Sequence, residues 1–173
     1  MDAGYLYSVA PKLDADAFLM ARATGWEKFN LLPGNANIFF EGTYVGKTEI
    51  DPNSIHDTLA ISLGRDKRIV VKREKQQELS SRKLIGSNRR DSFAWEISLR
   101  NAKSEAVSLT VEDQVPISQD NRIEVTVTDV SGASWDKVTG KLWWKVQLQP
   151  NETRKLTLKY EVKYPKDQTV SGL

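Results

Sequence analysis

This 173-residue chain predicts an all-β fold, an antiparallel β-sandwich, on three observations. Runs of period two recur, as in Phe93-Ala94-Trp95-Glu96-Ile97-Ser98-Leu99, Val107 to Val111, Ile123 to Val127 and Leu156 to Val162. Turn residues separate those runs at regular intervals. No segment of three helical turns carries both the period and the caps of a helix. Period-two alternation puts every second side chain on one face, so each strand has one buried and one wet side. Strands of that kind stack as two antiparallel sheets around a core.

In chain order, Tyr5 to Val9 opens as a strand. Phe18 to Ala23 is apolar enough for a strand or a short helix, and the Thr24-Gly25 stop and neighbouring strands favour strand. Leu32-Pro33-Gly34-Asn35 is a turn, with Pro fixing φ and Gly allowing φ > 0. Ala36 to Glu41 and Tyr44 to Ile50 read as a hairpin about Gly42-Thr43, followed by a turn at Asp51-Pro52-Asn53-Ser54. Gly42 and Gly46 bracket Tyr44, where glycine permits a bulge. Thr58 to Leu63 alternates and stops at Gly64. Arg68 to Lys72 is β-branched and flanked by charge, which suits a strand with a solvated face. Leu79 to Ile85 is a weaker strand, closed by Gly86-Ser87-Asn88. From Asp91 to Pro165 the strand spacing is that of an immunoglobulin-like sandwich, with turns at Asn101 to Ser104, Ser118 to Asn121 and Pro150 to Glu152, and a longer loop opened by Ser131 to Ser134. The expected organisation is an N-terminal β lobe, residues 1–90, and an immunoglobulin-like lobe, residues 91–173, closely packed as one domain.

At 39% hydrophobic residues, with five Trp, five Tyr and five Phe, the chain can bury a core without staples. No run approaches the ~18 apolar residues of a membrane span. Met1 to Gly4 lacks the charged start and apolar stretch of an export signal, and the direct entry into a strand suits a piece of a longer protein. The absence of cysteine excludes disulfides, thiol catalysis and thiolate metal sites and leaves the compartment open. Net charge is +2, but Arg65 to Arg90 holds ten Lys or Arg against three Asp or Glu, so the remainder is net acidic.

Few residues carry chemistry. His56 is the single histidine; Ser54 and Asp57 beside it on a turn cannot converge on it as a triad does, and zinc needs three or four ligands. Asp113, Asp120, Glu124 and Asp129 would have to converge to form a calcium site or an acid pair, and solvated strand ends are the plainer reading. Asp113 in particular reads as a turn residue ending a strand. Arg65, Arg68, Lys72, Arg73, Arg89 and Arg90, with Lys67, Lys75, Arg82 and Lys83, form a candidate anion surface. No aromatic residue interleaves between Arg65 and Arg90, which disfavours nucleic acid, and a solubilising strand edge is the plainer reading of such charges. Trp135, Trp143 and Trp144 are the candidate ligand or partner contacts. Trp143 and Trp144 must point to opposite sheet faces, so one belongs to the core and the other is partly exposed, where its flat face suits a sugar or a protein. No catalytic residue, cofactor or metal site is predicted.

Over nearly its whole length the chain resembles a known family. The motifs are Asn30-Leu31-Leu32-Pro33-Gly34-Asn35-Ala36-Asn37-Ile38-Phe39-Phe40-Glu41-Gly42-Thr43-Tyr44-Val45-Gly46, Asp57 to Asp66, Asp113-Gln114-Val115-Pro116-Ile117-Ser118, Gly140-Lys141-Leu142-Trp143-Trp144 and Tyr160 to Pro165. They resemble the C-terminal domain, of unknown function, of mucoidy-inhibitor-A-like bacterial proteins. The resemblance implies a parent with a small N-terminal domain and a coiled coil, an extracytoplasmic setting shared with exported relatives, and no catalytic residues to carry over. The second half more loosely resembles bacterial surface sandwiches, which implies fold rather than function. Together these readings point to a non-enzymatic interaction or structural module of an envelope-associated protein, acting on a protein partner or on other regions of its parent. A carbohydrate-binding or carbohydrate-processing domain is the alternative, and a polyanion binder using residues 65–90 the weaker one.

Overall fold

The computed structural model describes residues 2–24, 32–40, 42–51, 58–168 and 170. Among them are thirteen strands, one 3-10 turn at Gln77–Leu79 and no α-helix. The strands are β1 (Asp2–Ala10), β2 (Asp14–Thr24), β3 (Gly34–Phe40), β4 (Thr43–Ile50), β5 (Thr58–Arg65), β6 (Ile69–Lys75), β7 (Ser81–Ile85), β8 (Asn88–Asn101), β9 (Val107–Gln114), β10 (Glu124–Asp129), β11 (Ser134–Trp135), β12 (Lys141–Leu148) and β13 (Thr153–Pro165). The apolar run at residues 18–23 is strand, as its surroundings favoured, and the weaker prediction at 79–85 is met by β7 after the 3-10 turn.

Two sheets make the sandwich. The first has the order β11-β12-β9-β1-β2-β5, antiparallel throughout except that β1 runs parallel to β9, with Tyr7 opposite Leu109 and Val9 opposite Val111. The second has the order β10-β13-β8-β6. The long strand β8 pairs with β13 along its full length; its other edge is shared by β7, at Asn88 to Ser92, and β6, at Trp95 to Asn101. Strands β3 and β4 form a separate hairpin. Its register shifts between Ile38 and Phe39, which face Gly46 and Tyr44, so Val45 is the extra residue of a bulge next to the glycine that permits one.

The alternation fills one core. Tyr7, Val9, Val107, Leu109, Val111, Leu142, Trp144 and Leu148 point inward from the first sheet, and Ile69, Val71, Phe93, Ile97, Leu99, Leu156, Leu158, Tyr160 and Val162 from the second. Phe93 and Tyr160 stack with ring centroids 5.1 Å apart. The expected boundary between residues 90 and 91 falls inside β8. Strands of the first half (β1, β2, β5) complete the sheet of β9, β11 and β12, while β6 and β7 complete the sheet of β8, β10 and β13. Both halves of the chain thus contribute strands to both sheets, and Tyr7 and Val9 on β1 share the core cluster with residues of both halves.

Two local devices hold its ends. Asn101 is fully buried at the end of β8. Its amide donates to the carbonyls of Glu105 at 2.8 Å, Gln149 at 3.1 Å and Leu148 at 3.3 Å, and its side-chain oxygen accepts from the Lys103 N–H. One side chain therefore ties the β8–β9 loop to the β12–β13 turn and satisfies carbonyls that would otherwise be buried alone. At the opposite junction Gly140 has φ 73°, and a β-carbon there would lie 2.4 Å from the Val115 carbonyl oxygen. Both conformation and space require glycine.

Candidate functional site

A groove of about 900 Å³ opens where β1, the β5–β6 connection and the β8–β9 loop meet. On its floor the Tyr7 hydroxyl donates to Asp66 Oδ2 at 2.8 Å and accepts from Lys103 Nζ at 2.8 Å. Arg68 grips Asp66 with two donors at 3.0 and 2.9 Å, and Lys103 pairs with Glu105 at 2.6 Å. Two cations and two carboxylates leave the cluster with no net charge. The hydrogen bonds from Arg68 hold the Asp66 carboxyl well below its usual range. Burial pushes the Tyr7 hydroxyl up. Burial opposes the charge of Lys103 but is outweighed by its bonds to Glu105 and Tyr7, so its pKa also rises, and the Lys103 contact lowers Glu105. Every one of these shifts moves its group away from neutrality.

Aromatic side chains rim this groove. Tyr5 lies 6.4 Å, centroid to centroid, from Phe40 of the hairpin. On that hairpin Phe39 and Tyr44 meet edge to face at 5.5 Å, yet are 66% and 50% exposed. The hairpin belongs to neither sheet, so these rings are carried outside the core.

A second groove, of about 550 Å³, lies on the outer face of the six-stranded sheet. Trp143 forms its floor between β11 and β9, with Glu112 directly opposite on β9 and Ser134 on β11. Thr110 and Lys145 form the next cross-strand pair, and Lys141 and Arg22 also line the cavity. Among the described residues Arg22, Lys141 and Lys145 enter no ion pair. Trp144, by contrast, is 3% exposed, and its indole N–H donates to the Val130 carbonyl at 2.7 Å. The expected split of the two tryptophans holds, with Trp143 outside and Trp144 in the core. Trp135 opposes Leu142 and packs against the core, with Lys137 over its ring at 5.5 Å. The three tryptophans do not share one surface.

The basic segment is dispersed by its partners. Arg65 pairs with Asp14 and Asp16, Lys67 with Asp16, Arg68 with Asp66, Arg82 with Asp91 and Arg90 with Glu161. Arg89 is half-buried and Lys72 exposed on β6. Arg73 turns inward, its side chain 10% exposed, and its Nε donates at 2.7 Å to Asp113, whose side chain is 0% exposed. Its guanidinium lies over Trp95, 3.7 Å from the ring centroid. Asp113 is therefore no turn residue: it continues the inward series Val107, Leu109, Val111 on β9, a signal the alternation itself contained. Asp120 is taken by Arg122, Glu124 by Lys163, and Asp129 caps its own turn through Ser131 N–H, and no group of three metal-ligating side chains forms among the described residues. His56 lies outside the described residues. What sequence reasoning missed is the Tyr7–Asp66–Lys103 cluster, assembled from residues 59 and 96 positions apart. No described helix is long and apolar enough to cross a membrane.

A family model described as a domain of unknown function, DUF4139, matches residues 7–166. The chain is also similar to protein F37C4.5 of Caenorhabditis elegans, with 27% identity over 176 residues, covering 92% of this chain and 31% of that protein. It thus spans about a third of the length of the curated relative it matches.

Proposed function

The chain belongs to the DUF4139 family of domains of unknown function, and from that premise we propose that it is a non-enzymatic interaction module docking other regions of a longer parent protein. The observation that carries this reading is a set of aromatics at and beside the groove: exposed Tyr5 next to half-buried Phe40 at its rim, and exposed Phe39 and Tyr44 on the hairpin outside the core. Aromatic anchors beside a groove are the residues from which protein interfaces draw most of their energy. The groove floor supports the non-enzymatic half. A general acid or base needs a pKa near the working pH, whereas the shifts of Tyr7, Asp66, Lys103 and Glu105 all run the other way. The cluster acts as a staple joining β1 to two loops.

The finer assignment follows from the motifs. In this reading the domain is the C-terminal part of a mucoidy-inhibitor-A-like protein, its second half immunoglobulin-like, its setting extracytoplasmic, and its docking segment in the regions that precede it. The nematode relative widens the range of such domains, so the bacterial and envelope placement rests on motif resemblance alone. Thermal unfolding tests the docking. A polypeptide carrying the parent's remaining regions, added in trans, raises the midpoint of this domain by mass action. Phe39→Ala with Tyr44→Ala abolishes the rise without moving the free domain's own midpoint. No rise, or one that survives the double substitution, refutes the proposal.

A further inference from the structure

We propose that the Trp143 groove binds an acidic carbohydrate, a chain segment bearing uronate carboxylates. This surface lies on the outer face of the first sheet and is independent of the aromatic hairpin. Most cations of residues 65–90 are spent on neighbouring carboxylates, whereas Arg22, Lys141 and Lys145 line one concave surface and are free of ion pairs among the described residues. The opposing charge in that cavity is Glu112; Asp113, also at its wall, turns inward to Arg73. Lys12 adds a fourth cation at the rim, its Nζ donating to the Gln114 carbonyl at 3.3 Å. The groove is therefore net positive in a chain that is otherwise nearly balanced.

Its floor narrows the ligand. A polyanion recognised by charge alone would leave Trp143 without a role. Single-stranded nucleic acid uses a succession of aromatic platforms, one per base, and among the described residues Trp143 is the one aromatic side chain lining this cavity. A single indole on a sheet face, with Ser134 on one side leaving room and Glu112 on the other, suits one pyranose ring laid against it. Glu112 accepts ring hydroxyls, Thr110 offers a further hydroxyl partner, and Arg22, Lys141 and Lys145 meet carboxylates on the flanking sugars; an arginine does so in bidentate fashion. Apolar platform, hydroxyl acceptor and carboxylate-seeking cations coincide in 550 Å³.

Calorimetric titration with a hexamer of galacturonic acid tests this, beside a neutral galactose hexamer and a thymidine hexanucleotide. The acidic sugar binds, and its affinity falls roughly tenfold between about 50 and 200 mM salt as a few cation contacts are screened. Trp143→Ala weakens it about tenfold through the lost platform. Lys141→Gln with Lys145→Gln weakens it and flattens the salt dependence. Both variants alter surface side chains, and an unchanged unfolding midpoint verifies that each is folded. Absence of binding by the acidic hexamer, equal binding of the neutral hexamer, equal or tighter binding of the oligonucleotide, or full affinity in the folded Trp143→Ala protein overturns the assignment.

Discussion

Removing the Asp113 carboxylate is the most informative perturbation of the fold. Asp113→Ala leaves the Arg73 guanidinium, 10% exposed, without its partner beneath the Trp95 ring. Breaking a buried pair from one side costs ~3–5 kcal/mol, because the surviving charge stays desolvated. Against the ~5–15 kcal/mol that holds a domain together, that is a large fraction. At ~2–4 °C per kcal/mol for a domain of this size, the midpoint falls by roughly 6–20 °C. Urea unfolding of the single variants and of Arg73→Met/Asp113→Leu gives the full cycle. The double variant recovers most of the loss, since replacing both charges by apolar groups of similar bulk is near neutral. A single-variant loss below about 1 kcal/mol, the range of exposed pairs, would refute the reasoning by showing that Arg73 swings out to solvent. So would a double variant no more stable than Asp113→Ala.

Two further outcomes follow from the ends of the sandwich and the groove floor. Gly140→Ala costs about 2 kcal/mol or more, since the left-handed backbone alone costs ~1–2 kcal/mol and its β-carbon meets the Val115 carbonyl at 2.4 Å; Gly132→Ala, with a similar φ of 74° and no atom near its β-carbon, costs less, which chemical denaturation resolves. The folded-state pKa of Asp66 is depressed, so its contribution is complete above the ordinary carboxylate value of 3.8 and fades as pH falls below it. Asp66→Asn accordingly flattens the acid limb of a stability–pH curve, and an unchanged limb would show that Arg68 and Tyr7 do not hold the carboxylate.

Strands and their faces were legible because alternation is local. The period-two runs named from sequence lie on strands, Ile123 alone falling just before β10, and the opposite facing of Trp143 and Trp144 follows from adjacency alone. What adjacency cannot supply is the partner. Arg73 read as a surface cation because its nearest sequence neighbours are charged, while the carboxylate that draws it inward stands 40 residues away. Nor is the parallel pairing of β1 with β9 written in any local signal. Tyr7, Asp66 and Lys103 carry nothing in sequence to associate them; only the sandwich brings them within hydrogen-bonding distance. Asp113 was the recoverable case, because counting on from Val111 by two places it indoors.

The union of β1 with β9 also sets a schedule. On the ribosome Val9 emerges long before Val111, its partner across the parallel pair. At roughly 5–20 residues per second, the ~100 residues between them take roughly 5–20 s to synthesise. Throughout that interval β1 and β2 can close their own hairpin, but one flank of β1 is left with unclaimed amides and carbonyls and with Tyr7 and Val9 uncovered, a template for stray strands. The nascent chain is open to self-association between the synthesis of β1 and that of β9, and a stall before residue 107 strands it there.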